Sequence, residues 1–136
     1  TPWWHRADAA DLASDFPETQ IIINHTALPA DRSPAGLDGW RQAIGLAARQ
    51  SNIAIKISGI GVKGEAWTVA ANRQIVLDTI EAFGADRCLF ASNFPVDSLV
   101  ADFDTIFNGF KTITRDFSSD DRRKMFHDNA VRIYRL

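Results

Sequence analysis

The chain has 136 residues, 46% of them hydrophobic and 24% charged, with a formal net charge of −2. That is the balance of one globular domain with a real core, taken here as residues 1–136. There is no basic stripe for nucleic acid or an acidic membrane surface, and no apolar run approaches the length that crosses a bilayer.

The chain opens on Thr1-Pro2-Trp3-Trp4-His5, with two large aromatics where a free terminus is ordinarily polar. This predicts the tail of an element whose earlier part lies outside the sequence. Ala7 to Phe16 has helical spacing, with Ala9, Leu12, Ala13 and Phe16 on one face, and Pro17 stops it. The β-branched run Ile21-Ile22-Ile23 predicts a buried strand over 20–25, with His25 at its end. Leu28 to Gly36 reads as a loop. Leu37, Trp40, Ile44 and Ala47 then repeat at helical spacing, predicting a helix over 37–50.

Ile53, Ile55 and Ile57 alternate with Ala54, Lys56 and Ser58, a strand over 52–58. A glycine-rich loop, Gly59 to Glu65, leads to a helix over 68–83. Gly84 is placed to end that helix in a left-handed conformation. Cys88-Leu89-Phe90-Ala91 is the core of a third buried strand, 87–92, which Pro95 prevents from continuing. A helix from Leu99 to Ile113 follows. Ser118 with Asp121 resembles a capping box, and a last helix carries Met125, Phe126, Ala130 and Ile133 as its stripe. Strand, helix, strand, helix, strand is the order of right-handed βαβ units with a parallel sheet.

In such sheets chemistry gathers beyond the carboxyl ends of the strands. Ser92, Asn93 and Asp97 stand after the third strand, and Lys56 shares a face with Ser58. A lysine in an isoleucine strand needs a partner, and Asp97 is the candidate. His5 and His25 each follow an inferred strand. Neighbouring parallel strands lie about 4.8 Å apart, so side chains from their ends can meet on one ion or serve as acid and base. Gly59-Ile60-Gly61-Val62-Lys63-Gly64 matches a dinucleotide-binding spacing. Glu65 would repel a pyrophosphate, however, and no acidic residue ends the following strand, so the glycines are read as turning a loop. His127 reads as a surface residue. Cys88, the only cysteine, reads as a packed thiol; it excludes an internal disulfide and is compatible with a reducing compartment, so a cytoplasmic location is expected.

Several segments together resemble the amidohydrolase-2 family of TIM-barrel hydrolases. They are Phe16-Pro17-Glu18-Thr19-Gln20 leading to Asn24-His25-Thr26-Ala27-Leu28-Pro29, then Ile55-Lys56-Ile57-Ser58-Gly59-Ile60-Gly61, then Asp86 through Asp97, and finally Met125-Phe126-His127-Asp128-Asn129-Ala130. The resemblance implies an α/β fold, the C-terminal half of a (β/α)8 barrel. Pro2-Trp3-Trp4-His5 would end the fifth strand, and the other strands would be the sixth to eighth. A whole barrel takes about 250 residues.

The resemblance makes His5 and His25 the metal ligands, for a divalent ion such as zinc, with His25 also catalytic. It makes Trp4, Lys56 and Ser58 substrate-binding. Asn93 falls where many relatives carry an aspartate that binds metal or acts as base. A neutral amide cannot accept the proton, so Asp97 is the candidate replacement. The implied activity is hydrolysis of a lactone or related cyclic ester of a small sugar or aromatic acid. The alternatives are a metal-dependent decarboxylase of an aromatic acid and a non-catalytic remnant. A half barrel leaves sheet edges open, so the expected partners are a small-molecule substrate and either a second copy or the other half of the barrel. The 136-residue piece alone is expected to be inactive.

Overall fold

The computed structural model describes residues 6–136. Its elements run α1 (Arg6–Asp15), β1 (Ile21–Ile23), α2 (Pro34–Ala48), β2 (Ile53–Ile57), α3 (Val69–Phe83), β3 (Cys88–Phe90), α4 (Phe103–Ile113), α5 (Ser119–Arg123) and α6 (Asn129–Tyr134). The three strands form one parallel sheet in the order β1-β2-β3. Ile21 pairs with Ile53, Ile23 with Ile55, Ile55 with Cys88, and Ile57 with Phe90.

That register sorts the strand side chains onto two faces. Ile23, Ile53, Ile55, Ile57, Cys88 and Phe90 lie in one core cluster with Trp40, Ile44, Ile75, Val76, Ile80 and Phe110 from the helices. Full burial of each large apolar side chain contributes about 1.5–3 kcal/mol. Helices α1 to α4 pack as successive neighbours over this face. Ala54 and Leu89 are buried too, but outside that cluster, because alternation places them on the opposite face with Lys56 and Ser58. Burial of strands on both faces is why β2 and β3 read as nearly continuous apolar runs.

Helix starts follow capping chemistry. Ser33, Thr68, Asp102 and Ser118 each accept a hydrogen bond from the backbone N–H three residues on. The expected capping box at Ser118 is therefore half formed: Ser118 caps, while Asp121 pairs with Lys124 at 3.9 Å. The helix expected from Leu99 begins at Phe103, because Val96–Leu99 form a 3-10 turn and Asp102 supplies the cap. Pro34 sits in the first turn of α2, where its missing N–H costs nothing, so that helix starts earlier than its apolar stripe indicates. The last helix is interrupted by a π-helical turn, Lys124–Asp128. Gly84 does have positive φ, but with ψ of 160° it is extended rather than left-handed helical, a region reserved for glycine. The strands are shorter than 20–25, 52–58 and 87–92 at both ends, since the chain turns sharply just past each one.

The amino ends of the strands are tied by side-chain donors. Asn52 Nδ2 donates to the carbonyls of Ala13, Phe16 and Thr19, each at 3.0 Å. The Arg87 guanidinium donates to the carbonyls of Ala48 and Gln50, both at 2.9 Å, and of Phe83 at 3.2 Å. Asn129 Nδ2 donates to the carbonyls of Ala85 at 2.6 Å and Cys88 at 2.8 Å. These bonds satisfy main-chain acceptors that a short sheet leaves over.

Candidate active site

All three strands end in a left-handed backbone step. After β1, His25, Thr26, Ala27 and Leu28 have φ of 57°, 48°, 60° and 57°. After β2, Gly59 has φ of 58°, and after β3, Asn93 has φ of 57°. A left-handed step costs a residue with a side chain about 1–2 kcal/mol, so the four-residue turn after β1 is held by its surroundings. Leu28 N–H donates to the His25 carbonyl at 2.8 Å, and the buried Trp40 Nε1–H donates to the Thr26 carbonyl at 2.7 Å. Strain of this kind concentrates at functional sites.

The turns bring two side-chain pairs together. His25 Nδ1 lies 2.9 Å from Ser58 Oγ, and Ser58 is 1% exposed. Asn93 Nδ2 donates to Asp97 Oδ1 at 2.8 Å, and Asp97 is 7% exposed. Gly59 is wedged between the pairs: a Cβ there would lie 2.6 Å from His25 Nδ1 and 3.1 Å from Asn93 Nδ2. A glycine is therefore required for both its φ and its close contacts.

Burial pushes the His25 imidazole below its ordinary pKa of 6.5; the negative charge of Asp97 opposes this and the positive charge of Lys56 adds to it. A neutral imidazole is favoured near neutrality. Among the described residues, neither His25 Nε2 nor Asp97 Oδ2 is engaged in a hydrogen bond. The arrangement thus offers one neutral base or acid and one carboxylate oxygen at the same end of the sheet.

His25, Ser58, Asn93 and Asp97 therefore meet where expected. Lys56 does not pair with Asp97: its ammonium lies 5.6 Å from the centroid of the Tyr134 ring, and Asp97 takes the Asn93 amide instead. The lysine is thus accommodated by a cation–π contact. Trp4 and His5 lie outside the described residues. His127 is exposed and bonds Asp128 at 2.9 Å. Cys88 is buried and desolvation pushes its thiol up to about 12, as fits a packed cysteine. The glycine loop does not open a helix, because α3 starts at Val69 under its own Thr68 cap. Gly61 instead makes room for Val100, and Gly59 for His25.

Sequence reasoning missed Trp40 as the clamp on the His25 turn, reading it only as core. It also missed Arg32, which donates from Nη2 to the Ile60 carbonyl at 2.7 Å and joins the two loops beside His25. A lone arginine in a loop carries no periodic signal.

Among the described residues the donor set for a metal is incomplete. Among the described residues, no three His, Cys, Asp or Glu side chains converge on one point. At the strand ends His25 and Asp97 are the candidates among the described residues, and His5 lies outside them. Asn93 donates its amide N–H to Asp97, which leaves its Oδ1 as a neutral and weaker donor.

The amidohydrolase family profile matches residues 1–136. An uncharacterized protein of Sinorhizobium fredii, y4mH, is 46% identical over 134 residues, 98% of this chain and 45% of its own length. L-fucono-1,5-lactonase of Burkholderia ambifaria is 27% identical over 136 residues, 92% of this chain and 44% of its own. The crystal structure of an amidohydrolase from Burkholderia multivorans with bound zinc superposes with a TM-score of 0.93 at 21% identity, covering 100% of this chain and 51% of that one. The chain thus spans about half the length of the relatives it matches. This chain belongs to the amidohydrolase family and folds as the C-terminal half of a (β/α)8 barrel.

Proposed function

We propose that the full-length protein hydrolyses a lactone or related cyclic ester of a small sugar or aromatic acid, and that His25 is its general base. The observation that carries this reading is the 2.9 Å contact between His25 Nδ1 and Ser58 Oγ. With Nδ1–H donating to Ser58 Oγ, the lone pair sits on Nε2, the free ring nitrogen. Burial keeps that imidazole neutral and able to accept a proton.

His25 Nε2 then takes a proton from water as the water oxygen adds to the ester carbonyl. The C–O bond of the ring breaks, and the same nitrogen returns the proton to the departing ring oxygen. The products are a hydroxy acid and a restored neutral imidazole. Asp97, oriented by Asn93, stabilises the transient imidazolium through its charge, the raising effect already seen on His25. Asp97 thus takes the part that Asn93, as an amide, cannot play. Lys56 and Ser58 face the substrate side of β2. The described residues do not complete a metal site, so no step is assigned to a metal. Support for the ester substrate comes from the lactonase relative. The whole enzyme is completed by the other half of the barrel, or by a second copy that closes the sheet.

The test is a pH-stat assay of the full-length protein on a panel of sugar and aromatic lactones, with carbon dioxide release measured in parallel. Proton release is expected, reduced about 10²–10⁴-fold in His25→Ala. Carbon dioxide without lactone opening moves the assignment to a decarboxylase, and full turnover by His25→Ala removes the general-base role.

A further inference from the structure

Arg32 is a half-buried cation without an ion pair. Its Nη2 donates to the Ile60 carbonyl, but its Nε is buried and has no acceptor. None of the ion pairs among the described residues includes it. Burial lowers its pKa, and the charge of Glu65 only partly opposes that. A half-buried guanidinium whose Nε has no acceptor and whose charge is not matched by an ion pair is costly unless an anion arrives to match it.

Two clefts meet at this side chain. The larger, about 290 Å³, is also lined by Glu65, whose carboxylate repels an anion. The smaller, about 190 Å³, lies between the loop after β1 and the loop after β2, at the end of the sheet that carries His25. Its walls are Leu28, Pro29, Ala30, Gly59, Gly61 and Val62, with Arg32 and Lys63 as its charged groups and no acidic residue. It shares Gly59 with the His25 site, since a Cβ on that glycine would touch His25.

We propose that this smaller cleft is a carboxylate subsite, with Arg32 as its anchor and Lys63 at its rim, which holds an acidic group of the substrate or the carboxylate formed on ring opening. The choice of a carboxylate rests on the lactone reading; the anion site itself rests on Arg32 and the charge of the cleft. A planar guanidinium matches a carboxylate oxygen for oxygen, whereas an uncharged polyol would leave it unmatched.

The experiment is calorimetric titration of the full-length protein with gluconate, and with glucitol as its uncharged counterpart. Wild type is expected to bind gluconate at millimolar concentration or better and to ignore glucitol. Arg32→Gln is expected to weaken gluconate about tenfold or more, and Arg32→Lys less. Lys63→Glu, an exposed change that leaves the Ile60 contact alone, is expected to weaken it as well, which guards against a folding defect in Arg32→Gln. Unchanged gluconate affinity in both Arg32→Gln and Lys63→Glu overturns the proposal. Equal binding of glucitol, no binding to wild type, or binding of inorganic phosphate in place of gluconate does so too. Lactone turnover by His25→Ala would instead remove the general-base reading and leave the anion site standing.

Discussion

At the amino end of the sheet, side-chain donors reach main-chain carbonyls. Asn52, Arg87 and Asn129 together engage Ala13, Phe16, Thr19, Ala48, Gln50, Phe83, Ala85 and Cys88. At the carboxyl end, side chains bond each other, His25 with Ser58 and Asn93 with Asp97. The first arrangement commits its N–H donors to main-chain carbonyls and holds elements together. The second fixes one atom of each side chain and leaves another, His25 Nε2 and Asp97 Oδ2, without a bond among the described residues. The backbone differs in the same sense. Left-handed steps at His25, Gly59 and Asn93 mark the carboxyl end, where geometry outranks local comfort. Structural duty thus collects at one end of the strands and chemical capacity at the other, the division known for parallel barrels.

The sharpest way to break this comparison is to exchange the expected phenotypes. His25→Ala in the full-length protein should lower turnover about a thousandfold with an almost unchanged melting curve. If it unfolds the protein instead, the carboxyl end is also structural. Asn52→Ala should do the reverse. It leaves three carbonyls without their donor, so urea unfolding should show a loss of about 2–3 kcal/mol with activity per folded molecule retained.

Gly59→Ala tests the point where the two demands collide. Its φ of 58° and the 2.6 Å approach to His25 Nδ1 predict a loss of about 1–2 kcal/mol, together with about tenfold lower kcat as His25 is displaced. An effect on stability alone would separate the glycine from the chemistry.

The pH dependence is the gentlest probe. Because burial holds the His25 imidazole below 6.5, the acid limb of kcat/KM should lie below that value. The linked stability has a definite sign. The unfolded chain takes up its proton before the folded one, so this contribution is complete above about pH 6.5 and is lost as pH falls through the folded value. Asn93→Asp places a second carboxylate beside Asp97. One acid of the pair and the nearby imidazole should then titrate higher, moving the acid limb upward. An unmoved limb would disconnect Asn93 and Asp97 from the base.

Much of the candidate site was legible because polar residues stood directly after apolar strand runs. That signal singled out His25, Asn93 and Asp97 as candidates, and the family resemblance added Ser58 and gave each its expected role. The proposed Lys56–Asp97 pair was not borne out, because strand alternation tells which face Lys56 takes but not that Tyr134 returns from the last helix to cover it. Helix boundaries shifted where a cap outweighed a stripe, as at Ser33 and Asp102.

By itself the sequence determined the order of elements, the parallel sheet, the packed Cys88 and the end of the sheet where the polar side chains gather. Those follow from local periodicity, from β-branched runs and from the handedness of βαβ units, all properties of residues near one another in the chain. The tertiary structure alone decided that Gly59 separates His25 from Asn93, that Trp40 clamps the left-handed turn, and that the half-buried Arg32 keeps a buried Nε without an acceptor. Each of those depends on side chains far apart in sequence meeting at contact distance, which no local pattern encodes.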